Sequence, residues 1–557
     1  MSSDNLLARR SNVTISRREI LAFLGVVAGV MVVTTVPYAY GYLSSPPDRQ
    51  FMGILLNVPD TAQYLSWARE FGRAVLIENK LTSEPGDPVF LNLYWLFVGR
   101  LAKALDLGLA ETMQLVRPLS GIVYLGAIYW FVALVEDDII RRLTAFLVIS
   151  LGGGLGWLLV VIKQFTGELL YPLDLYVTES NTFLTVLAFP HQAMATGLLV
   201  LLLCLSALAL EWRSFGLAAV AGLLGLVLGV QHGYDLLVVF GVLGAAAVAL
   251  AVQTKCWLRI LAICAVVGLL SAPAALYLAY ITYASPIWRG VLSQYDNAGV
   301  YTPEPLHLLV LMGLPLLLVL TVRPEPAGSR LCVPRELVLG SWLVVGFLLL
   351  YVPTDFQIKM LAGWQVPVGI VATRIAFTHF APTLRKLLAG TRWRPDIALS
   401  LALVLAVLPV NAYLLAWRFV DLSRHDYPYY LHKDELAALR WLETHSLPTD
   451  VVLSSLTLGQ YIPSVSGNTA FLAHWAQTLD FFEKRRMVAQ FFDGGTPGQA
   501  RDEIVKRFGV RYVFHGRQER ALGSYDLGDI HFTKVFSEQG TSIYRVESVS
   551  RAVEVNR

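Results

Sequence analysis

Four groups of ionisable residues lie against long apolar runs, and these are where the chain can do chemistry. Asp48 and Asp60 fall within PPDRQFMGILLNVPDTAQYLSWARE. Asp60 follows Pro59 and opens Asp-Thr-Ala-Gln-Tyr-Leu-Ser-Trp, which reads as a helix start with Asp60 in the N-cap place. Such a carboxylate either caps the helix or, just above a membrane, serves as general base for an acceptor hydroxyl. The second group, in 163–191, holds Asp174, Glu179 and Asn181 and ends in Phe189-Pro190-His191-Gln192 at the mouth of an apolar run. A histidine at a helix start is ordinarily hydrogen-bonded structure, although a carboxylate pair with a nearby His can hold a divalent cation. No H-x-x-x-H or D-x-D pattern accompanies it. The third group, Gln231-His232-Gly233-Tyr234-Asp235, is a connection short enough to be a tight turn. The fourth is Phe356-Gln357-Ile358-Lys359-Met360, followed by Gly363-Trp364-Gln365 and then Arg374 inside the next apolar run. Lys359 reads as a headgroup anchor, whereas an Arg that deep in a span costs at least ~2.5 kcal/mol unless it is paired. A phosphate at the membrane surface would suit both cations.

The elements that must position these groups follow from composition. Of 557 residues, 55% are hydrophobic and 15% charged, against about a quarter charged in soluble domains. With a mean hydropathy of +0.56, that excludes a soluble enzyme, a disordered chain and a nucleic-acid binder. A net charge of +3 argues for no polyanionic partner. Cys204, Cys256, Cys264 and Cys332 lie in or beside apolar stretches and suggest neither a disulfide framework nor a Cys-rich metal site. Arg9, Arg10, Arg17 and Arg18 precede the apolar run Ile20 to Leu43, which is long for a signal peptide and lacks a small-residue cleavage site. Ser16-Arg17-Arg18-Glu19-Ile20-Leu21 has the form of a twin-arginine export signal, but many spans follow and paired arginines hold an N-terminus inside. The first run therefore reads as an uncleaved anchor, N-terminus in.

Ten further runs, near 119–135, 143–162, 192–210, 214–231, 234–252, 257–283, 306–322, 337–353, 364–381 and 396–416, bring the expected total to about eleven spans. An odd number puts the C-terminus outside. The loops then assigned inside carry Arg141, Arg142, Arg213, Lys255, Arg259, Arg323, Arg330, Arg335, Arg385, Lys386, Arg392 and Arg394, against Lys163, Arg289 and Lys359 in the short outer loops. That is the positive-inside asymmetry. It would invert if 89–106 spanned, so this segment is expected to lie as an amphipathic helix on the outer surface, with Arg100 and Lys103 at the headgroups. The first outer loop then runs from about 44 to 118.

After Trp417 charges return and period-2 strands appear at 451–453, 510–514 and 543–546, between helical patterns near 433–446, 480–492 and 499–508. The expected division is a membrane domain, 1–417, and an extracytoplasmic α/β domain, 418–557. Gly152-Gly153-Gly154-Leu155-Gly156 resembles a phosphate loop but falls in a span, where close helix packing explains it. Asn12-Val13-Thr14 is a glycosylation sequon on the inner side, where it would mean nothing. No P-loop supports ATP-driven transport.

Together these features resemble the GT-C superfamily of integral-membrane glycosyltransferases, above all a large bacterial branch of it. The likeness rests on Asp60 to Leu65 as D-x-x-x-Y-L with Tyr64 at its fifth position, and on Pro190-His191 opening a helix after the second large loop. In the C-terminal region it rests on Leu439-Arg440-Trp441-Leu442, Gly459-Gln460-Tyr461-Ile462-Pro463, His474-Trp475-Ala476 and Gly509-Val510-Arg511-Tyr512-Val513. The likeness covers most of the chain, but its motifs are short and fold-level, not substrate-specific. Thr61 stands beside Asp60 where many metal-using members carry a second acid, and Gly233 stands where a Pro is the pattern.

The resemblance implies a polytopic α-helical membrane protein, GT-C-like, with a C-terminal α/β domain, at the cell (inner) membrane. It implies inverting transfer of a sugar from a polyprenyl-phosphate donor to a lipid, glycan or protein acceptor, with Asp60 as general base. Tyr64, Asp174, Glu179, His191, His232, Lys359 and Arg374 would bind substrate, the last two at the carrier phosphate. An optional Mg or Mn ion would fall to Asp60, Glu179 and His191. Membrane lipids are the other partners, and nucleic acid is not one. A flippase of lipid-linked sugar and a catalytically silent assembly factor are the rival readings. The first predicts midplane charges and repeat symmetry, and the second predicts that Asp60, Lys359 and Arg374 do not converge.

Overall fold

The computed structural model describes residues 15–167, 173–294, 304–322, 333–528 and 531–547. Arg9, Arg10, the Asn12 sequon, Arg323, Arg330 and Cys332 lie outside them. Every one of the eleven apolar runs is helical, but they differ in length. The helices long and apolar enough to cross a membrane are α1 (Arg17–Leu43), α2 (Leu109–Val135), α6 (Pro190–Glu211), α8 (Asp235–Thr254) and α9 (Trp257–Ala284). Two further pairs qualify only as broken spans: α3 (Ile139–Leu151) with α4 (Gly156–Thr166), bent by 47°, and α13 (Pro395–Val407) with α14 (Pro409–Ser423), bent by 45°. The short helix α5 is Thr182–Ala188. The remaining four, α7 (Phe215–Gln231), α10 (Pro305–Thr321), α11 (Pro334–Leu349) and α12 (Gln365–His379), have 15 to 17 residues. At about 1.5 Å per residue they rise only about 23–26 Å, short of a ~30 Å hydrocarbon core. Among the described residues the structure thus supports five spans, or seven with the bent pairs, rather than eleven of full length.

The chain forms two compact units. The first comprises Met1–Pro37, Leu115–Leu278 and Val300–Val420. In it α6 packs on α7, α8 and α11, and α12 packs on α3 and α10. The Gly152–Gly156 run packs closely, as expected, since a Cβ added at Gly153 would stand 2.1 Å from Val410 and one at Gly154 2.2 Å from Val310 O. It forms the break between α3 and α4, however, and not part of a continuous span. Gly153 N–H donates to Val407 O at 3.1 Å and Leu155 N–H to Val310 O at 2.7 Å. Those carbonyls belong to α13 at its own end and to α10 just before its kink at Gly313, whose φ of 65° suits glycine. Three interrupted helices therefore satisfy one another's free backbone groups where water is excluded. Asn411 seals the junction, donating to Leu151 O and Gly152 O and accepting from Asn181 at 2.7 Å.

The second unit comprises Tyr38–Gln114, Ala279–Gly299 and Asp421–Arg557. Compactness thus groups the first long loop with the C-terminal region, whereas composition alone drew one boundary near 417. The tie is strand β1 (Arg49–Phe51), antiparallel to β2 (Tyr430–His432). The larger sheet contains β3 (Val451–Leu453), β4 (Thr469–Ala470), β5 (Val510–His515), β6 (Phe532–Glu538) and β7 (Thr541–Val546) in the order β4-β3-β5-β7-β6. β3 is parallel to β4 and β5, and the β6–β7 hairpin adds antiparallel to β5. The helices Phe481–Phe492 and Gly498–Phe508 bury Phe491, Phe492, Ile504 and Val505 against Leu453, Val513 and Tyr544 to make its core.

Two helices of the loop portion matter for function: Val58–Phe71, which carries Asp60, and Leu93–Leu105, capped by Asn92 through Trp95 N–H. They approach closely at Gly99, where an added Cβ would stand 2.1 Å from Ala68 O. Gly99→Ala should therefore part these helices and lose about 1–3 kcal/mol, as overpacked sites do, measured as a lower melting temperature of the detergent-solubilised chain.

Candidate active site

Asp60 is not the N-cap of its helix. Asn57 holds that place with a left-handed backbone (φ 49°, ψ 64°), which asparagine tolerates, and Pro59 presets the first turn. Asp60 sits in the first turn, three residues after that N-cap. Asn57 Nδ2 donates to Asp60 Oδ2 at 2.6 Å, while Oδ1 accepts from His474 Nε2 at 2.8 Å and from Trp475 Nε1 at 3.2 Å. The side chain stays 19% exposed. An anion gripped by directed N–H groups and still open to solvent can take a proton from a bound hydroxyl. Tyr64, four residues on and therefore on the same helix face, stacks on Trp95 with centroids 5.1 Å apart.

The partners of Asp60 come from residues 414 and 415 positions away. They arrive because the stretch 79–84 runs beside the turn that carries them. Ala470 N–H donates to Lys80 O, Asn79 donates to Gln477 O, and Thr478 Oγ1 donates to Leu81 O at 2.6 Å. Lys484 fastens the end of this stretch, with Nζ 2.6 Å from Glu84 and hydrogen-bonded to Ser83 and Thr82. Burial pulls its ammonium below the usual lysine range, against the opposing pull of Glu84.

In the first unit, Glu179 is buried in a 3₁₀ turn and its Oε1 lies 2.5 Å from Lys359 Nζ. Thr178 beside it donates to Gln192 Oε1 at 2.6 Å, next to His191 at the start of α6. His191 and His232 stand 6.2 Å apart by ring centroid. His232 Nδ1 lies 2.9 Å from Asp235, its Nε2 lies 2.9 Å from the Tyr234 hydroxyl, and Tyr234 packs on Phe356, three residues before Lys359. The structure thus gathers Glu179, His191, His232 and Lys359 at one end of the helices of this unit.

It does not bring Arg374 to that end. Arg374 lies nine positions along α12 from Gln365, about 14 Å along a helix. Its guanidinium bonds Glu136, both oxygens of Glu336 and Val135 O. The pairing that its depth demanded comes from these carboxylates. Asp174 has a separate task. It is fully buried and accepts Gly156 N–H at 2.8 Å, closing the first turn of α4. The proposed metal set fits poorly. Glu179 is engaged by a lysine and Asp60 by three N–H donors, and among the described residues no three His, Cys, Asp or Glu side chains cluster as a metal would need.

Solved structures share this architecture. The Archaeoglobus fulgidus oligosaccharyltransferase AglB, in complex with an inhibitory peptide and a dolichol-phosphate, superposes with a TM-score of 0.51 at 12% identity, over 95% of this chain and 75% of that one. The same enzyme tethered to an acceptor peptide gives 0.50 at 12%, over 94% and 74%. The arabinofuranosyltransferase AftD from Mycobacteria gives 0.51 at 14%, over 96% of this chain but 40% of that one. The chain has the GT-C fold. No protein-family model matches it and no curated protein sequence does, so the GT-C likeness is one of fold. In the sequence, His474-Trp475-Ala476 stands out as part of the family resemblance and not as a set of site residues. The usable signal was a His-Trp pair, two ring N–H donors in adjacent positions, in an otherwise apolar stretch.

Proposed function

We propose that the chain is a membrane glycosyltransferase that moves a sugar from a polyprenyl-phosphate carrier to an acceptor hydroxyl, with inversion. The observation that carries this reading is Asp60, an open carboxylate oriented by three N–H groups, on a fold shared with enzymes solved with dolichol-phosphate or acceptor peptide. In the reaction the acceptor oxygen attacks the anomeric carbon and Asp60 takes its proton. The bond from that carbon to the phosphate oxygen breaks, and polyprenyl phosphate departs with the electron pair. Lys359 is assigned to the departing phosphate, whose charge an ammonium would offset. Tyr64, Glu179, His191 and His232 are assigned to the sugar and its surroundings. Arg374 and Asp174 are left to the scaffold. The charge bias of the loops supports an orientation with the Lys359 end and the C-terminal region outside the cell membrane.

The test is turnover by the purified chain in lipid, given a panel of polyprenyl-phosphate sugars with and without a chelator. Slow release or transfer of one sugar, insensitive to the chelator, is the expected result. Loss of turnover on chelation would restore a metal to the site. Carrier movement across the bilayer without any sugar release would replace the proposal by the transport reading.

A further inference from the structure

The His474 ring has its tautomer set by its own turn. Its Nδ1 receives two backbone N–H groups, from Ala476 at 3.0 Å and Gln477 at 3.2 Å. A backbone amide can only donate, so Nδ1 carries no hydrogen. The ring hydrogen is therefore on Nε2, which faces Asp60 Oδ1 at 2.8 Å. The turn is held in place as well. Thr478 Oγ1 accepts N–H from Ala473 and His474 and passes its own hydrogen to Leu81 O. The His474 side chain is 3% exposed, so solvent has little access to compete for either nitrogen. A ring this constrained has one donor and one direction in which to give it.

We infer that His474 is a positioning residue: its Nε2–H, fixed by the Ala476 and Gln477 amides, holds Asp60 Oδ1 and so aims the carboxylate at the acceptor hydroxyl. The inference rests on Asp60 being the base. It assigns a reaction role to the C-terminal region, whose turn orients a group on a helix near the start of the chain. Trp475 Nε1 adds a second grip on the same oxygen, but the tilt of its indole is not fixed by backbone amides in the same way.

The test compares H474A, H474Q, D60N and the double variant D60N/H474A as full-length protein in lipid. Misplacing a reacting group by about 1 Å costs about a hundredfold. H474A should therefore lower kcat by about that factor with little change in donor KM. H474Q, whose Nε2 can reach the same place, should recover much of it. In the D60N background, removal of His474 should cost nothing further, because the two groups act as one unit. If D60N loses activity while H474A keeps the wild-type kcat, this inference falls and the base assignment stands. If D60N keeps full activity, the base assignment itself falls. A further loss from H474A in the D60N background would reduce His474 to a structural support. Should H474A fail to fold, the ¹⁵N shifts of the His474 ring in the wild-type chain decide the matter: hydrogen on Nε2 is expected, and hydrogen on Nδ1 overturns the inference.

Discussion

Asp60→Asn should lower sugar transfer by about 10²–10⁴-fold, the usual contribution of a general base, while leaving donor affinity and thermal stability nearly unchanged. The amide has the size of the carboxylate and its oxygen can still accept from His474 and Trp475, which now hold Oδ1 at 2.8 and 3.2 Å. It cannot take a proton. A base acts only as the acceptor oxygen bonds to the sugar, so the loss belongs in kcat rather than in ground-state binding. Asp60→Glu restores the charge but pushes it outward by one methylene, away from its three donors, and should recover only part of the rate. Initial rates at saturating acceptor, beside equilibrium binding of the donor, would check this. Asp60→Asn turning over at the wild-type rate would end the base assignment.

The second large effect is on stability. Arg374→Met should destabilise the chain by about 3–5 kcal/mol, the range for breaking a buried ion pair from one side. Glu136 and Glu336 are themselves buried or nearly so, with 5% and 14% of their side chains exposed, and both lose their cation together. Nearby, Arg142 and Tyr129 share Glu19, so the loss falls in a region already dense in coupled charges. Adding Glu136→Gln and Glu336→Gln should recover most of the stability, since the uncompensated carboxylates are the cost. Thermal unfolding in detergent, followed by the fraction that remains monodisperse, would measure both. If instead stability held and donor KM rose, Arg374 would return to the carrier phosphate.

Much of the architecture was readable because helices in lipid have a local cause. A run of apolar residues long enough to hide its own backbone polar groups becomes a helix wherever it sits, and all eleven runs carry helix, two of them as bent pairs. Strands 451–453, 510–514 and 543–546 were legible for a similar reason, since period-2 alternation and β-branched residues describe one chain segment at a time. Interruptions were less legible. The close packing at Gly152–Gly156 was readable, but the break there depends on the carbonyls that Val310 and Val407 offer to it. Short spans such as α12 look complete in hydropathy but end where a turn begins.

The candidate site divides the same way. The sequence by itself determined that Asp60 lies near the start of a helix after the first apolar run, that Arg374 needs a partner, and that Glu179 and Lys359 fall in connections between apolar runs. Each follows from residue type and local spacing. Which partners they meet was decided only by tertiary structure. Arg374 meets Glu136 and Glu336, and Asp174 turned to cap a broken helix. His474 reached Asp60 across 414 residues because the 79–84 stretch lies along its turn. Hydrogen bonds reach about 3 Å, so a pair so distant in sequence becomes a pair only when the fold closes the loop between them.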